Sequence, residues 1–265
     1  MTARPVTLVT GASSGIGAAL ARRIAVEGRD LVLTARRRDR LEALAREITD
    51  QQKVRVEVIA ADLARPEAPR ELVAELEHRG LEVEWLVNNA GFGTGGRFDR
   101  LPLARELEEI RVNVRAPVEL AGRLMPAMVR RGRGAVITVA SIAGFGPMAY
   151  MATYAATKAF LVSWSEAVAT EAAGTGVAVL CVCPGFTRTE FQERAGVDTS
   201  GIPPWLWMSA EEVAEETVRA VGRQTVLVPG MLNWVASAGM RLAPRSMIAR
   251  MTASANQRRT ADRSS

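Results

Sequence analysis

Histidine, lysine, tyrosine and cysteine are all scarce in this 265-residue chain. It has one His, two Cys, two Tyr and, among 34 basic residues, only two Lys. The single His, His78, stands in Glu77-His78-Arg79-Gly80. A Ser-His-Asp or Cys-His enzyme would have to use it, and a His-rich metal site is excluded. That tetrapeptide reads as a helix end, so a solvated helix-terminal residue is the better reading. Cys181 and Cys183 are too few for a disulfide scaffold or a four-Cys zinc site. Two apart in an apolar run, they point to one face of a strand as small buried hydrophobes. A reducing, cytoplasmic setting fits them, and no metal site is expected.

Long hydrophobic runs are also missing. No stretch of about 18 uncharged apolar residues exists, so no spanning helix is expected. Met1-Thr-Ala-Arg-Pro5 leads into an apolar run too short for a secretory signal. With 48% apolar and 24% charged residues the chain is neither disordered nor fibrous. The formal net charge is +5, and residues 241–265, with six Arg and one Asp, carry all of it. The body is neutral, so no nucleic-acid partner is expected. Chemistry that needs an ammonium group has two candidates, Lys53 and Lys158.

What is present is alternation. Short apolar runs at 5–10, 31–33, 54–60, 83–87, 135–139, 177–182 and 226–228 read as strands. Helical periodicity lies between them, from Ser14 to Glu27, around Leu41 to Ile48 and around Leu72 to Leu76. It returns from Leu103 to Arg130, with Pro117 and Pro126 as kinks or a break, then from Tyr150 to Ala173 and from Ala210 to Val221. Continuous apolar strands suit a parallel sheet covered on both faces. The expectation is a doubly wound α/β fold of about seven strands and three layers, one domain over residues 1–230. A basic C-terminal extension follows over 231–265, its last dozen residues disordered.

Ligands in such sheets bind beyond the carboxyl ends of the strands. After strand one stands Thr10-Gly11-Ala-Ser13-Ser14-Gly15-Ile16-Gly17, a turn that opens a helix and suits a pyrophosphate. After strand two come Arg36, Arg37 and Arg38, with no acid before Asp39. Three Arg at a helix start oppose the macrodipole, so an anion is expected there, and a ribose 2′-phosphate suits it. Asp62 and Leu63 follow strand three, and Asn88-Asn89-Ala90-Gly91 follow strand four. Ser141 follows strand five. Tyr154 and Lys158, four apart on one helix, share a face, and the cation is expected to lower the phenol's pKa.

This ordered set resembles the short-chain dehydrogenases/reductases over about residues 5–230. The match comprises Thr-Gly-x-x-x-Gly-x-Gly at 10–17, Asn-Asn-Ala-Gly at 88–91, Asn113, Ser141, Tyr-x-x-x-Lys at 154–158 and Pro-Gly at 184–185. The resemblance implies that Gly11, Ser13, Ser14 and Ile16 wrap the pyrophosphate and adenosine ribose. It places Asp62 and Leu63 at the adenine, and Asn89, Ala90 and Gly91 on the ribose and nicotinamide side. Thr187 would contact the carboxamide. The catalytic tetrad would be Asn113, Ser141, Tyr154 and Lys158, with Tyr154 as the acid or base. Lys158 would also bind the nicotinamide ribose.

The implied function is hydride transfer between NADP(H), preferred over NAD(H), and a carbonyl compound or secondary alcohol. Phe191, Pro203, Pro204, Trp205, Trp207 and Met208, with Phe92, Phe145 and Met148, either line a large lipophilic pocket or pack on the body or a second subunit. The apolar and basic extension suits a membrane surface or a neighbouring subunit, and a homo-oligomer is expected from the resemblance. A dinucleotide-binding regulator without turnover would share the fold, but the intact Ser-Tyr-Lys set argues against it.

Overall fold

The computed structural model describes residues 3–196, 199 and 201–260. Seven strands, β1 (Arg4–Thr10), β2 (Leu31–Thr34), β3 (Val56–Val58), β4 (Leu81–Asn88), β5 (Gly134–Val139), β6 (Val177–Val182) and β7 (Val226–Leu227), form one sheet. Its order is β3-β2-β1-β4-β5-β6-β7, every pair parallel. The chain winds outward from β1 to β3, then returns to lay β4 against the other side of β1. That reversal opens the crevice in which such sheets take ligands.

Alternate residues of a strand face opposite sides, and both sides are covered. Val9, Leu31 and Leu33 pack under α1 (Gly15–Val26), α2 (Arg38–Gln52) and α8 (Ala210–Ala220). Leu8, Val32 and Val136 pack under α3 (Ala68–His78), α5 (Ala116–Arg131) and α6 (Ala152–Glu171). Leu20, Ile24, Leu41 and Ile48 are essentially inaccessible, as their periodicity requires.

The long helical region divides in an unexpected way. α4 (Leu103–Ile110) runs into one π-helical stretch, Arg111–Arg115, before α5 continues. Neither expected proline makes the break. Pro117 sits in the first turn of α5, where its missing N–H is harmless, and Pro126 stays inside that helix.

After the short helix α7 (Phe191–Ala195) and β7, the chain forms α9 (Met231–Leu242) and α10 (Arg245–Thr260), separated at Pro244. The backbone of residues 254–260 is helical. The rest of the terminal dozen, 261–265, lies outside the described residues. Among the described residues no helix is long and apolar enough to cross a membrane.

Candidate active site

The ends of β1 and β4 are lashed together. Thr10 Oγ1 accepts from the Asn89 and Ala90 amides, both at 3.0 Å, and donates to the Val87 carbonyl at 3.1 Å. Asn89 Nδ2 returns bonds to the Thr10 and Gly11 carbonyls at 2.9 and 3.3 Å. The glycines are required by this closeness. Gly11 has φ 66°, and a Cβ there would lie 2.8 Å from Ala90 Cα. A Cβ on Gly17 would lie 2.3 Å from Asn89 Nδ2. Asn89 therefore braces the Gly-rich turn with its side chain. Gly91, two residues on, faces the tetrad, since a Cβ there would meet Asn113 Oδ1 at 3.1 Å and Lys158 Nζ at 3.5 Å.

The turn presents α1 to an anion. Ser14 is the N-cap residue but makes no side-chain cap bond, and the first turn of α1 has no acid. Its free amides and dipole suit a pyrophosphate. Ser13 and Ser14 lie under a cation: Arg37 donates to their hydroxyls at 3.0 and 2.8 Å. Arg36 points away, 3.7 Å from Glu108, with its side chain 57% exposed. Of the two arginines, then, Arg37 reaches the turn. Asp62 Oδ1 accepts from the Ala64 amide at 3.1 Å beside the buried Leu63. Ile16 packs against the core under the turn. This donor set fits a dinucleotide phosphate chain.

The tetrad residues converge from three elements. Asn113 lies in the π-helical stretch and clamps the loop after β4. Its Nδ2 donates to the Phe92 carbonyl at 2.9 Å and to Thr157 Oγ1 at 3.1 Å, while its Oδ1 accepts from the Phe92 amide at 3.1 Å. A π-bulge at a functional position is a recurrent pattern. Ser141, two residues beyond β5, accepts from the Ala143 amide at 3.1 Å, and it hydrogen-bonds Tyr154. The turn before α6 is strained: Tyr150 has φ 66°, with its carbonyl accepting from Gly96 N at 2.8 Å. Four residues into the next turn, Tyr154 and Lys158 share the buried face of α6.

One electrostatic expectation is corrected. Lys158 does not lower the Tyr154 phenol. Burial pushes that phenol up, outweighing the Ser141 hydrogen bond. Lys158 Nζ stands 5.7 Å from the ring centroid and donates to the Val139 carbonyl at 2.9 Å. Burial lowers Lys158 itself to about 8. Both groups lose hydration, and at this site that effect exceeds their mutual attraction.

The aromatic set divides. Phe191 packs on Tyr154 with centroids 5.1 Å apart, and Met148, Met151 and Ala195 complete an apolar wall. Phe92 lies under Arg105, Phe145 under Arg241, and Trp207 against Phe186 and Arg188. Trp205 is 64% exposed. Thr187, buried, is held by Gln192, whose Nε2 donates to its carbonyl at 3.0 Å.

The C-terminal helices reach the same loops. A Cβ on Gly185 would strike Asn233 of α9, and one on Gly146 would strike Ile248 of α10. Thr252 bonds the Pro147 carbonyl and the Ala149 amide at 3.3 and 3.2 Å.

Three residues at the site stand outside the motifs. Glu190 meets Arg37 at 3.1 Å and Arg40 at 2.5 Å, across a distance in sequence that no local pattern reveals. Glu106 and Glu109 are buried on α4 beside Thr94. Their signal was available, as two acids on the face that also presents Asn113 one turn later.

The family profile described as short chain dehydrogenase matches residues 5–199. Sulfoacetaldehyde reductase 2 of Chromohalobacter salexigens is 33% identical over 231 residues, 86% of this chain and 90% of that one. The 7beta-hydroxysteroid dehydrogenase of Collinsella aerofaciens is 30% identical over 228 residues, 85% of this chain and 86% of that one. A short-chain dehydrogenase from Sphingobium yanoikuyae, solved in complex with NADPH, superposes with a TM-score of 0.80 at 36% identity, covering 89% of this chain and 93% of that one. Matched in sequence over most of its length and in fold, the chain belongs to the short-chain dehydrogenase family, oxidoreductases that move a hydride between a nicotinamide dinucleotide and a carbonyl or alcohol carbon.

Proposed function

We propose that this enzyme reduces a lipophilic ketone or aldehyde with NADPH, through Asn113, Ser141, Tyr154 and Lys158. The observation that carries the reading is Tyr154: a phenol kept protonated by burial, hydrogen-bonded to Ser141 and walled by Met148, Met151 and Phe191. A protonated phenol is ready to give its proton to a carbonyl oxygen, which is the reductive direction. When bound, the dinucleotide supplies the hydride. Ser141 supports the oxygen as charge develops on it. Lys158 and Asn113, both against Gly91, hold the cofactor side of the site together. Ser13, Ser14 and the α1 amides would take the pyrophosphate, with Asp62 and Leu63 toward the adenine and Thr187 toward the carboxamide. Arg37 would take the 2′-phosphate, with the exposed Arg36 free to swing in as helper.

The relatives' names span sulfoacetaldehyde and a hydroxysteroid, so the wall around Tyr154 carries the substrate argument. Turnover with NADPH across a panel from short polar aldehydes to ring ketones tests it. The reading expects kcat/KM to rise with apolar size. Turnover of small charged aldehydes alone would contradict it. A homo-oligomer is part of the same reading. The face of α9 with Met231, Leu232, Trp234 and Val235 is exposed, and a second copy would cover it. Sedimentation alone and with anionic vesicles distinguishes a subunit contact from a membrane contact.

A further inference from the structure

Beside the tetrad lies a polar group that the proposed reaction does not use. Glu109 is fully buried and Glu106 nearly so. The Thr94 hydroxyl stands 2.5 Å from Glu106 Oε1 and 2.8 Å from Glu109 Oε2. Thr153 donates to the other oxygen of Glu106. Glu109 Oε1, by contrast, is buried with no hydrogen-bond partner.

Counting hydrogens settles the protonation. A threonine hydroxyl has one hydrogen, so it can donate to one carboxyl only. Toward the other it presents a lone pair, and two lone pairs at such a distance repel unless a proton lies between them. One of the two carboxyls must therefore donate to Thr94. Glu106 already accepts from Thr153, which suits the ionised form. Glu109, with an oxygen unpartnered, suits the acid.

We infer that Glu106 and Glu109 share one proton through Thr94, and that the charge on Glu109 modulates the acid strength of Tyr154. The second clause rests on the reading of Tyr154 as the proton donor. Glu109 is on the helical face one turn before Asn113, and its charge bears on both Tyr154 and Lys158. The other groups facing the pair are Thr94 from the loop after β4 and Thr153, Tyr154 and Lys158 from α6. With Glu109 neutral, a phenolate left on Tyr154 after proton donation meets no opposing charge from Glu109. With Glu109 ionised, it faces a second anion, and donation is disfavoured. Burial, reinforced by Glu106, raises Glu109 to about 7, so the switch falls near neutrality. Lys158 is lowered by burial to about 8, and the ionised Glu109 partly offsets that fall.

Infrared difference spectra of the full-length protein, stepped from pH 5.5 to 8.5 in heavy water, test the first clause without any turnover. The C=O stretch of a protonated carboxyl should vanish with a midpoint near pH 7 and be absent in Glu109→Gln. In Glu106→Gln it should persist with its midpoint moved to lower pH. No protonated carboxyl in the wild type above pH 6, or a band that Glu109→Gln leaves in place, would overturn the shared proton. The second clause is read from the pH profile of kcat. Glu109→Gln should move the alkaline fall up, by at most about one pH unit, to the Lys158 limb, which itself loses the support of the Glu109 charge. A band assigned to Glu109 together with an unmoved profile would overturn the coupling. A total lack of turnover in the wild type would count against the proposed function and leave the infrared result standing.

Discussion

Arg37 and Glu190, 153 residues apart in sequence, meet at 3.1 Å over the turn that would hold the cofactor phosphates. Arg40 and Arg194 join the same carboxylate, and Arg40 leads in holding it below the usual carboxylate range. Glu190 thus occupies the place of an anion on the arginine proposed for the 2′-phosphate, while the next residue, Phe191, packs on Tyr154. Because the pair is about a third exposed, its net worth is about 0–1 kcal/mol. A phosphate can displace it. Glu190→Gln should therefore tighten NADPH binding by up to about fivefold and leave NADH unchanged. Fluorescence titration with both cofactors checks this.

Arg37→Ala should weaken NADPH by roughly 10- to 150-fold, the equivalent of one charge-assisted hydrogen bond. Arg36→Ala should have the smaller effect, since its guanidinium is turned toward Glu108. Equal losses in both variants, measured as Kd, would mean that the two share the phosphate.

Gly17→Ala should damage both cofactor binding and stability. The new methyl would lie 2.3 Å from Asn89 Nδ2 and 2.5 Å from the Gly11 carbonyl, so the brace between β1 and β4 must open. Overpacking of this kind costs about 1–3 kcal/mol. Urea denaturation reads the loss. Gly122→Ala, inside α5 at a glycine with nothing near a Cβ, should instead stabilise, by about 0.5–1 kcal/mol.

Stability should also depend on pH through Glu109. Its pKa rises from an ordinary 4.5 to about 7 on folding. Below 4.5 both states are protonated and nothing is lost. Between 4.5 and 7 the unfolded chain releases its proton first, so stability falls as pH rises, by about 3 kcal/mol once pH passes 7. Glu109→Gln stays neutral throughout. It should be more stable than the wild type at pH 8 and no more stable at pH 4.5, as urea denaturation at the two pH values would show.

Ile248→Ala should reach the active site from the C-terminal extension. Ile248 is 5% exposed and fills the space over Gly146, in the loop between Ser141 and Tyr154. A large-to-small change of this kind costs about 2–5 kcal/mol in a closed core and less where the site can collapse. KM for the carbonyl substrate should rise while the Kd for NADPH holds, because the Gly-rich turn is remote from α10.

The sheet and its helices were legible because each element obeys a local rule. Leu20 and Ile24 sit on one helical face, and the strands are short apolar runs ending at Gly11, Ala35 and Asn88. The candidate tetrad and cofactor turn come from the ordered motifs, and the structure places them at strand ends, in the π-helical stretch and on α6. What escaped was set by contacts between distant segments. The Arg37–Glu190 pair joins the start of α2 to the start of α7. The direction of the Tyr154 shift depends on burial, which no spacing between Tyr154 and Lys158 encodes. The packing of Asn233 on Gly185 and of Ile248 on Gly146 makes the C-terminal extension part of the site's support, whereas its composition alone suggested a surface element.

Tyr154 as the proton donor is the central claim, and Tyr154→Phe tests it most directly. The ring would keep its contact with Phe191 and lose only the hydroxyl that bonds Ser141. NADPH Kd and single-turnover hydride transfer should be measured on the same preparation. The Kd should be unchanged and turnover should fall below a few per cent of wild type. A variant that bound NADPH normally and kept most of its hydride-transfer rate would contradict it.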